Sequence, residues 1–268
     1  MTIMCQKLAL AVCLIASLIP SKVFAASIWL KSGQVNGLLP PGNPTKGRLN
    51  LFDDNITYWT TGESTHLLKS TAFTDSDFAK ARGIGCTASD ICGRAKLIIP
   101  DSAWGGNLEA DSDARWINWH SSSTGTSFGL PAASVLYAFP FTVSIPIENI
   151  ASASIDFHAK VDDFLGDPNG PNPIGVYING QPLNNSFGSN VGNPLSASQT
   201  GIEDLLISGE NTLYVYQRDA GSVVSGSIFS AHIDVKPVPE PLTILGSATA
   251  LGFGALLKRQ QSRKQKKN

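Results

Sequence analysis

Between residues 26 and 236 the apolar side chains recur at every second position, and that period limits what this chain can fold into more than any other feature. In Ile155-Asp156-Phe157-His158-Ala159-Lys160-Val161 the alternation puts the apolar residues on one face and Asp156, His158 and Lys160 on the other, as in a half-buried strand. Phe139, Phe141, Val143 and Ile145 alternate likewise, as do Phe229, Ala231, Ile233 and Val235. Further strands are predicted at 95–99, 175–178 and 212–218. Asn179-Gly180, directly after Val176-Tyr177-Ile178, predicts a hairpin, because a type I′ turn needs positive φ at both central positions. Helix is scarce: the best candidate is 75–82, with Asp75 or Ser76 as cap, Gly83 as its stop, and Lys80 and Arg82 in the last turn. The stretch 166–173, Gly-Asp-Pro-Asn-Gly-Pro-Asn-Pro, holds only turn formers and reads as loop. No repeat of 20–50 residues is visible, which argues against a propeller or solenoid. The expected fold is all-β: a single antiparallel β-sandwich of jelly-roll type.

The two ends break this pattern. Residues 1–25 carry Lys7, an apolar run from Leu8 to Ile19, Pro20, and the small-residue site Val23-Phe24-Ala25. That is the layout of a secretory signal peptide cleaved after Ala25, and the run is too short for the ~20 residues of a membrane helix. At the other end, Pro239-Glu240-Pro241 precedes an apolar stretch from Leu242 to Leu257 and a basic tail beginning at Lys258-Arg259. At 1.5 Å per residue that stretch covers about 24 Å of a ~30 Å hydrocarbon core, so it barely spans. The basic tail should stay cytoplasmic and leave the body on the far side of the membrane. Gly246, Ala250 and Gly254 place small residues on one helix face, which either admits a neighbouring helix or reflects chance in a Gly/Ala-rich segment. Charge divides the same way: residues 26–257 hold 12 basic against 21 acidic residues, whereas six basic residues crowd into 258–268. An acidic body lacks the basic footprint that a phosphate backbone requires, which excludes nucleic acid.

The tripartite C-terminus resembles the PEP-CTERM sorting signal of bacterial exported proteins over about residues 237–268. The resemblance implies recognition by an exosortase, a membrane-embedded thiol transpeptidase that cuts near Pro239, Glu240 and Pro241. These residues would then be substrate for another enzyme. The body would be held transiently in the membrane and afterwards released or transferred to the cell surface or an extracellular polysaccharide matrix. The rival reading is a plain C-terminal anchor. The expected organisation is therefore a signal peptide at 1–25, a β-sandwich at 26–236 and a sorting signal at 237–268.

The second half of the body carries Trp116-Ile117-Asn118-Trp119, a strand ending at Ile145-Pro146, Ala159-Lys160-Val161-Asp162-Asp163, Val176-Tyr177-Ile178-Asn179-Gly180, Asp204-Leu205-Leu206 and Ser208-Gly209-Glu210-Asn211-Thr212-Leu213. Over about 110–235 this series resembles the galactose-binding-like jelly rolls, which occur as carbohydrate-binding modules and as accessory domains of glycoside hydrolases. Related jelly rolls often carry a structural calcium, which the resemblance would place at Asp162 and Asp163.

Chemistry within the body is sparse. Cys5 and Cys13 leave with the signal peptide, so Cys86 and Cys92 remain on one loop in an oxidising compartment and are expected to form a disulfide. The alternative, a pair of metal thiolates, needs more ligands than this loop offers. Carboxylates cluster at Asp53-Asp54, at Glu109, Asp111 and Asp113, and at Asp162-Asp163; these are either oxygen ligands for Ca²⁺ or solvated loop acids. None has EF-hand spacing, and no Gly-x-Ser-x-Gly, His-Glu-x-x-His or phosphate-cradling loop occurs. His66, His120, His158 and His232 are isolated in sequence, the last two on the polar faces of predicted strands. A sugar stacks its C–H face on an exposed aromatic beside hydrogen-bonding groups, and the candidates are Tyr58, Trp59, Trp104, Tyr214 and Tyr216. Trp116 and Trp119 are expected in the core. The expected protein is an exported surface or matrix component, without catalysis of its own, that binds or organises exopolysaccharide. The alternatives are a secreted glycosidase, whose two carboxylates must face each other across a cleft, and a structural matrix protein with no small ligand.

Overall fold

The computed structural model describes residues 25–35, 51–62, 67–100, 104, 106–120, 133–188, 194–220 and 224–239. The predicted signal peptide through Phe24, and the C-terminal signal from Glu240 onward with its apolar stretch and basic tail, lie outside these residues. Among the described residues no helix is long and apolar enough to cross a membrane. The body forms a compact unit, Ala25–Lys236.

Its strands are β1 (Ala26–Lys31), β2 (Phe52–Thr60), β3 (Ile91–Leu97), β4 (Ile117–Asn118), β5 (Val135–Val143), β6 (Ile150–Val161), β7 (Phe164–Leu165), β8 (Val176–Ile178), β9 (Gln181–Pro182), β10 (Leu195–Thr200), β11 (Gly209–Arg218) and β12 (Ser227–Pro237). They run in the order β10-β6-β12-β4-β3-β2-β5-β11-β8-β9, with β1 added beside β12 and β7 beside β11. The first and last strands are register partners from Ala26 opposite Val235 to Lys31 opposite Ser230, antiparallel throughout.

This order folds back on itself. β12 and β5 stand four places apart, which in a flat sheet would separate them by about 19 Å at the usual strand spacing. Yet the rings of Tyr137 on β5 and Phe229 on β12 lie 6.5 Å apart. Ser227 on β12 likewise donates to the side-chain oxygen of Gln217 on β11 at 2.7 Å. The strands therefore make two facing layers, an antiparallel β-sandwich of jelly-roll type, as the alternation predicted. Phe157 packs against Phe229 and Phe187 within the core, and all three are fully buried.

Local chemistry sets the elements. Asn179 and Gly180 adopt φ of 51° and 83°, and Ile178 pairs with Gln181, so the expected hairpin forms between β8 and β9. The helix, α1 (Asp75–Ala81), is capped by Thr74 rather than by Asp75 or Ser76. Asp77 accepts from both the backbone N–H and the hydroxyl of Thr74, which satisfies the helix start reciprocally. Gly83, at φ 78°, ends the turn that follows. Trp116 and Trp119 are in the core.

Candidate functional site

The two outer faces of the sandwich differ, and the difference redistributes the aromatic residues. Over β2, β5, β11 and β8 lies the segment 67–82 with α1. Phe78 of the helix packs at a tilt 4.7 Å from Tyr214 and 5.3 Å from Tyr177, and Phe73 meets Tyr216 edge-on at 4.9 Å. Leu68, Phe78, Ala81, Trp59, Tyr177, Tyr214 and Tyr216 form one buried apolar cluster. Both faces of β11 are thus covered, one by the facing layer and one by α1. Burial above all, with the Asp167 charge adding to it, pushes the Tyr216 hydroxyl up to about 12.

This corrects four of the expected sugar-stacking residues. Tyr58, Trp59, Tyr214 and Tyr216 expose between 0% and 5% of their surface and present no free ring face. Trp59 is also held by its indole N–H, which donates to Asp90 at 2.7 Å, while the Lys80 ammonium sits 4.9 Å over its ring. Asp90 is desolvated, but bonds from Thr87, Lys80 and Trp59 outweigh that and keep its carboxyl well below the usual carboxylate range. The cover is pinned further by Thr57 donating to the Ala81 carbonyl, by the Arg82–Glu210 ion pair, and by the expected Cys86–Cys92 disulfide.

Trp104, the fifth candidate, sits at one end of the sandwich. Its ring stacks on Trp116 at 4.8 Å and its N–H donates to Asp162 at 2.9 Å. Asp162 and Asp163, at the turn between β6 and β7, are joined there by Asp219 beyond β11, with carboxylate oxygens all within 4.8 Å of one another. Ala220 N–H also donates to Asp163, and Asp219 N–H to Ser134. Carboxylate oxygens are the donor type a hard cation takes, and these three would supply part of the six to eight oxygens around Ca²⁺. The other acidic clusters are consumed by structure. Asp53 is fully buried and accepts four backbone N–H bonds, from Gly33, Gln34, Asn55 and Ile56. Desolvation still raises its carboxyl above the ordinary value. Asp54 pairs with Arg94, and Asp111 and Asp113 flank Lys31.

Among the described residues the opposite face is open. In β6 the inward residues are Ile155, Phe157 and Ala159, and Asp156 and His158 point outward with Asp156 exposed. In β12 the outward positions are His232 and Asp234, and in β10 they are Ser196, Ser198 and Thr200. β1 completes this sheet: Ile28 and Leu30 turn inward, while Ser27 and Trp29 turn outward. Trp29 is 62% exposed, the most exposed large apolar side chain among the described residues. One face of its indole lies on the His232 ring at 3.9 Å and an interplanar angle of 16°. His232 Nε2 is 2.6 Å from the Ser27 hydroxyl and 3.4 Å from an Asp234 oxygen, so His232 is far from isolated. Ser, His and Asp here do not form a nucleophile relay, because hydroxyl and carboxylate approach the same ring nitrogen. Phe52, the other exposed aromatic, has Arg94 and Lys96 against its ring. Trp29 was missing from the sequence-based candidates, although Ser27-Ile28-Trp29-Leu30-Lys31 alternates with period two and puts Trp29 on the polar face.

No family model matches the chain, and no curated protein does. Among solved structures it is similar to a native family 35 carbohydrate binding module from Clostridium thermocellum, at 9% identity and a TM-score of 0.26, covering 48% of this chain and 84% of that one. It is also similar to a β-glucuronidase from an uncultured Clostridium species, at 12% identity and a TM-score of 0.27, covering 84% of this chain. The match spans 36% of that enzyme's length.

Proposed function

We propose that this chain is an exported surface or matrix protein whose sandwich binds a glycan on the open face of β10, β6, β12 and β1, without catalysis of its own. Trp29 carries the reading. A large aromatic left 62% exposed, braced flat by an imidazole that itself meets a hydroxyl and a carboxylate, has the composition of a sugar platform. The preformed brace lowers the side-chain ordering that binding would otherwise require. Export through a cleaved signal peptide, and processing by an exosortase at Pro239, Glu240 and Pro241, complete the proposal, with the membrane as a transient partner. Of that motif, Pro239 alone lies among the described residues. A calcium ion at Asp162, Asp163 and Asp219 would tie the β6–β7 turn to the end of β11. Added Ca²⁺ should then raise the melting temperature, and Asp219→Asn should abolish the rise.

The test of the main reading is fractionation and intact mass of the expressed full-length chain, followed by binding to immobilised exopolysaccharide. The expected outcome is a body outside the membrane fraction, lacking both ends, whose retention on the polysaccharide falls about tenfold or more in Trp29→Ala. A tail kept in the membrane fraction refutes the sorting claim. Retention unchanged by Trp29→Ala refutes the site.

A further inference from the structure

We infer that the glycan taken by the Trp29 face is uncharged, a polymer of neutral pyranoses rather than of uronic acids. The inference rests on the glycan-binding reading above and adds the ligand's charge.

The acidic groups on the same outer face decide it. Asp234 lies 3.4 Å from the imidazole that braces Trp29, with its side chain 43% exposed, and Asp156 is exposed on the neighbouring strand β6. Ionised carboxylates only accept hydrogen bonds, and sugar hydroxyls donate them, so a polyhydroxylated ring suits these groups. A uronate carboxylate brought to the same place would meet like charge instead.

The cations on this face offer little compensation. Lys31 is held between Asp111 at 3.2 Å and Asp113 at 3.3 Å. Lys160 donates to the Asn107 carbonyl at 3.1 Å, and Lys236 stands exposed near the end of β12. Arginine, whose fork matches a carboxylate best, occurs in none of the four strands. Arg82, Arg94 and Arg218 are each paired elsewhere with an acid, and Arg115, just beyond β1, is turned onto the Ser112 and Ala114 carbonyls. Over residues 26–257 the 12 basic residues face 21 acidic ones, so the wider field opposes an anionic polymer as well.

Affinity electrophoresis of the full-length protein tests this, using gels cast with neutral polymers (mixed-linkage β-glucan, xyloglucan, galactomannan, dextran) or with polygalacturonate, at low and high salt. The expected result is retardation by at least one neutral polymer, little affected by salt and reduced about tenfold in Trp29→Ala, with none by polygalacturonate. The double variant Asp156→Lys, Asp234→Lys should gain polygalacturonate retardation that high salt removes. Wild-type retardation by polygalacturonate that Trp29→Ala abolishes overturns the inference and leaves the glycan reading standing. So does a double variant that still ignores polygalacturonate, since charge would then not be the filter. Absence of any Trp29-dependent retardation overturns both.

Discussion

The two outer faces of this sandwich hold similar aromatic chemistry in opposite states. On one, Tyr177, Tyr214 and Tyr216 lie beneath α1, and on the other Trp29 stands largely in solvent with His232 stacked on its ring. A row of aromatics on a strand is therefore no indicator of a binding face by itself. What separates the two is whether another segment of the chain arrives to cover the row, and among the described residues one such segment, 67–82, lies over the first face and none over the second. The covered face is spent on packing, and the open face keeps its side chains in solvent.

Pairing one truncation on each face breaks this comparison most directly. Phe78→Ala removes the ring that lies on Tyr177 and Tyr214 and should destabilise the protein by about 3–5 kcal/mol. Trp29→Ala should change stability by about 0.5 kcal/mol or less. Thermal or urea unfolding of both variants measures the contrast, and equal losses would show that the open face is structural too. The next largest effect is expected from Cys86→Ser with Cys92→Ser. The closed loop is short, so its loss should cost about 2 kcal/mol, and amide exchange should rise in α1 before it rises in β6. Uniform exchange across both faces would deny that the cover is a separately tethered unit.

The smallest effect is a pH dependence confined to the cover. Burial pushes the Asp77 carboxyl up, but bonds from Lys69 and from the hydroxyl and N–H of Thr74 outweigh it and hold the group below its ordinary value. A carboxyl depressed in the folded state stabilises above its unfolded value, near pH 4, and loses that contribution as pH falls towards its folded value. The melting temperature should therefore decline below about pH 4, and less steeply in Asp77→Asn. An identical slope in the variant would remove Asp77 from the account.

The sandwich was legible because its core strands keep one face in and one face out. The period identified β6, β5 and β12, and Asn179-Gly180 marked its hairpin. β2 escaped notice because its register shifts between Phe52 and Thr57 and its buried Asp53 is spent on backbone N–H groups, which breaks the alternation. β10, Leu-Ser-Ala-Ser-Gln-Thr, has too few apolar residues to announce a strand. The site was less legible for a different reason. Tyr214 and Tyr216 share the face of β11 that local pattern marks as the less apolar, and it is the cover carrying Phe73 and Phe78, more than a hundred residues earlier, that buries them. Asp219 joins Asp162 and Asp163 in the same long-range manner. The Cys86–Cys92 bridge, by contrast, needed only six residues of separation and could be read directly.

The pairing of Ala26 with Val235 carries a mechanical consequence. Both ends of the body leave from the same edge of neighbouring antiparallel strands, so tension applied between them loads the β1–β12 hydrogen bonds one pair at a time. Such a ladder opens like a zipper at low force and does not share the load as a sheared sheet would. Stretched between two anchors, this domain would shed β1, and Trp29 with it, long before the rest of the sandwich gave way.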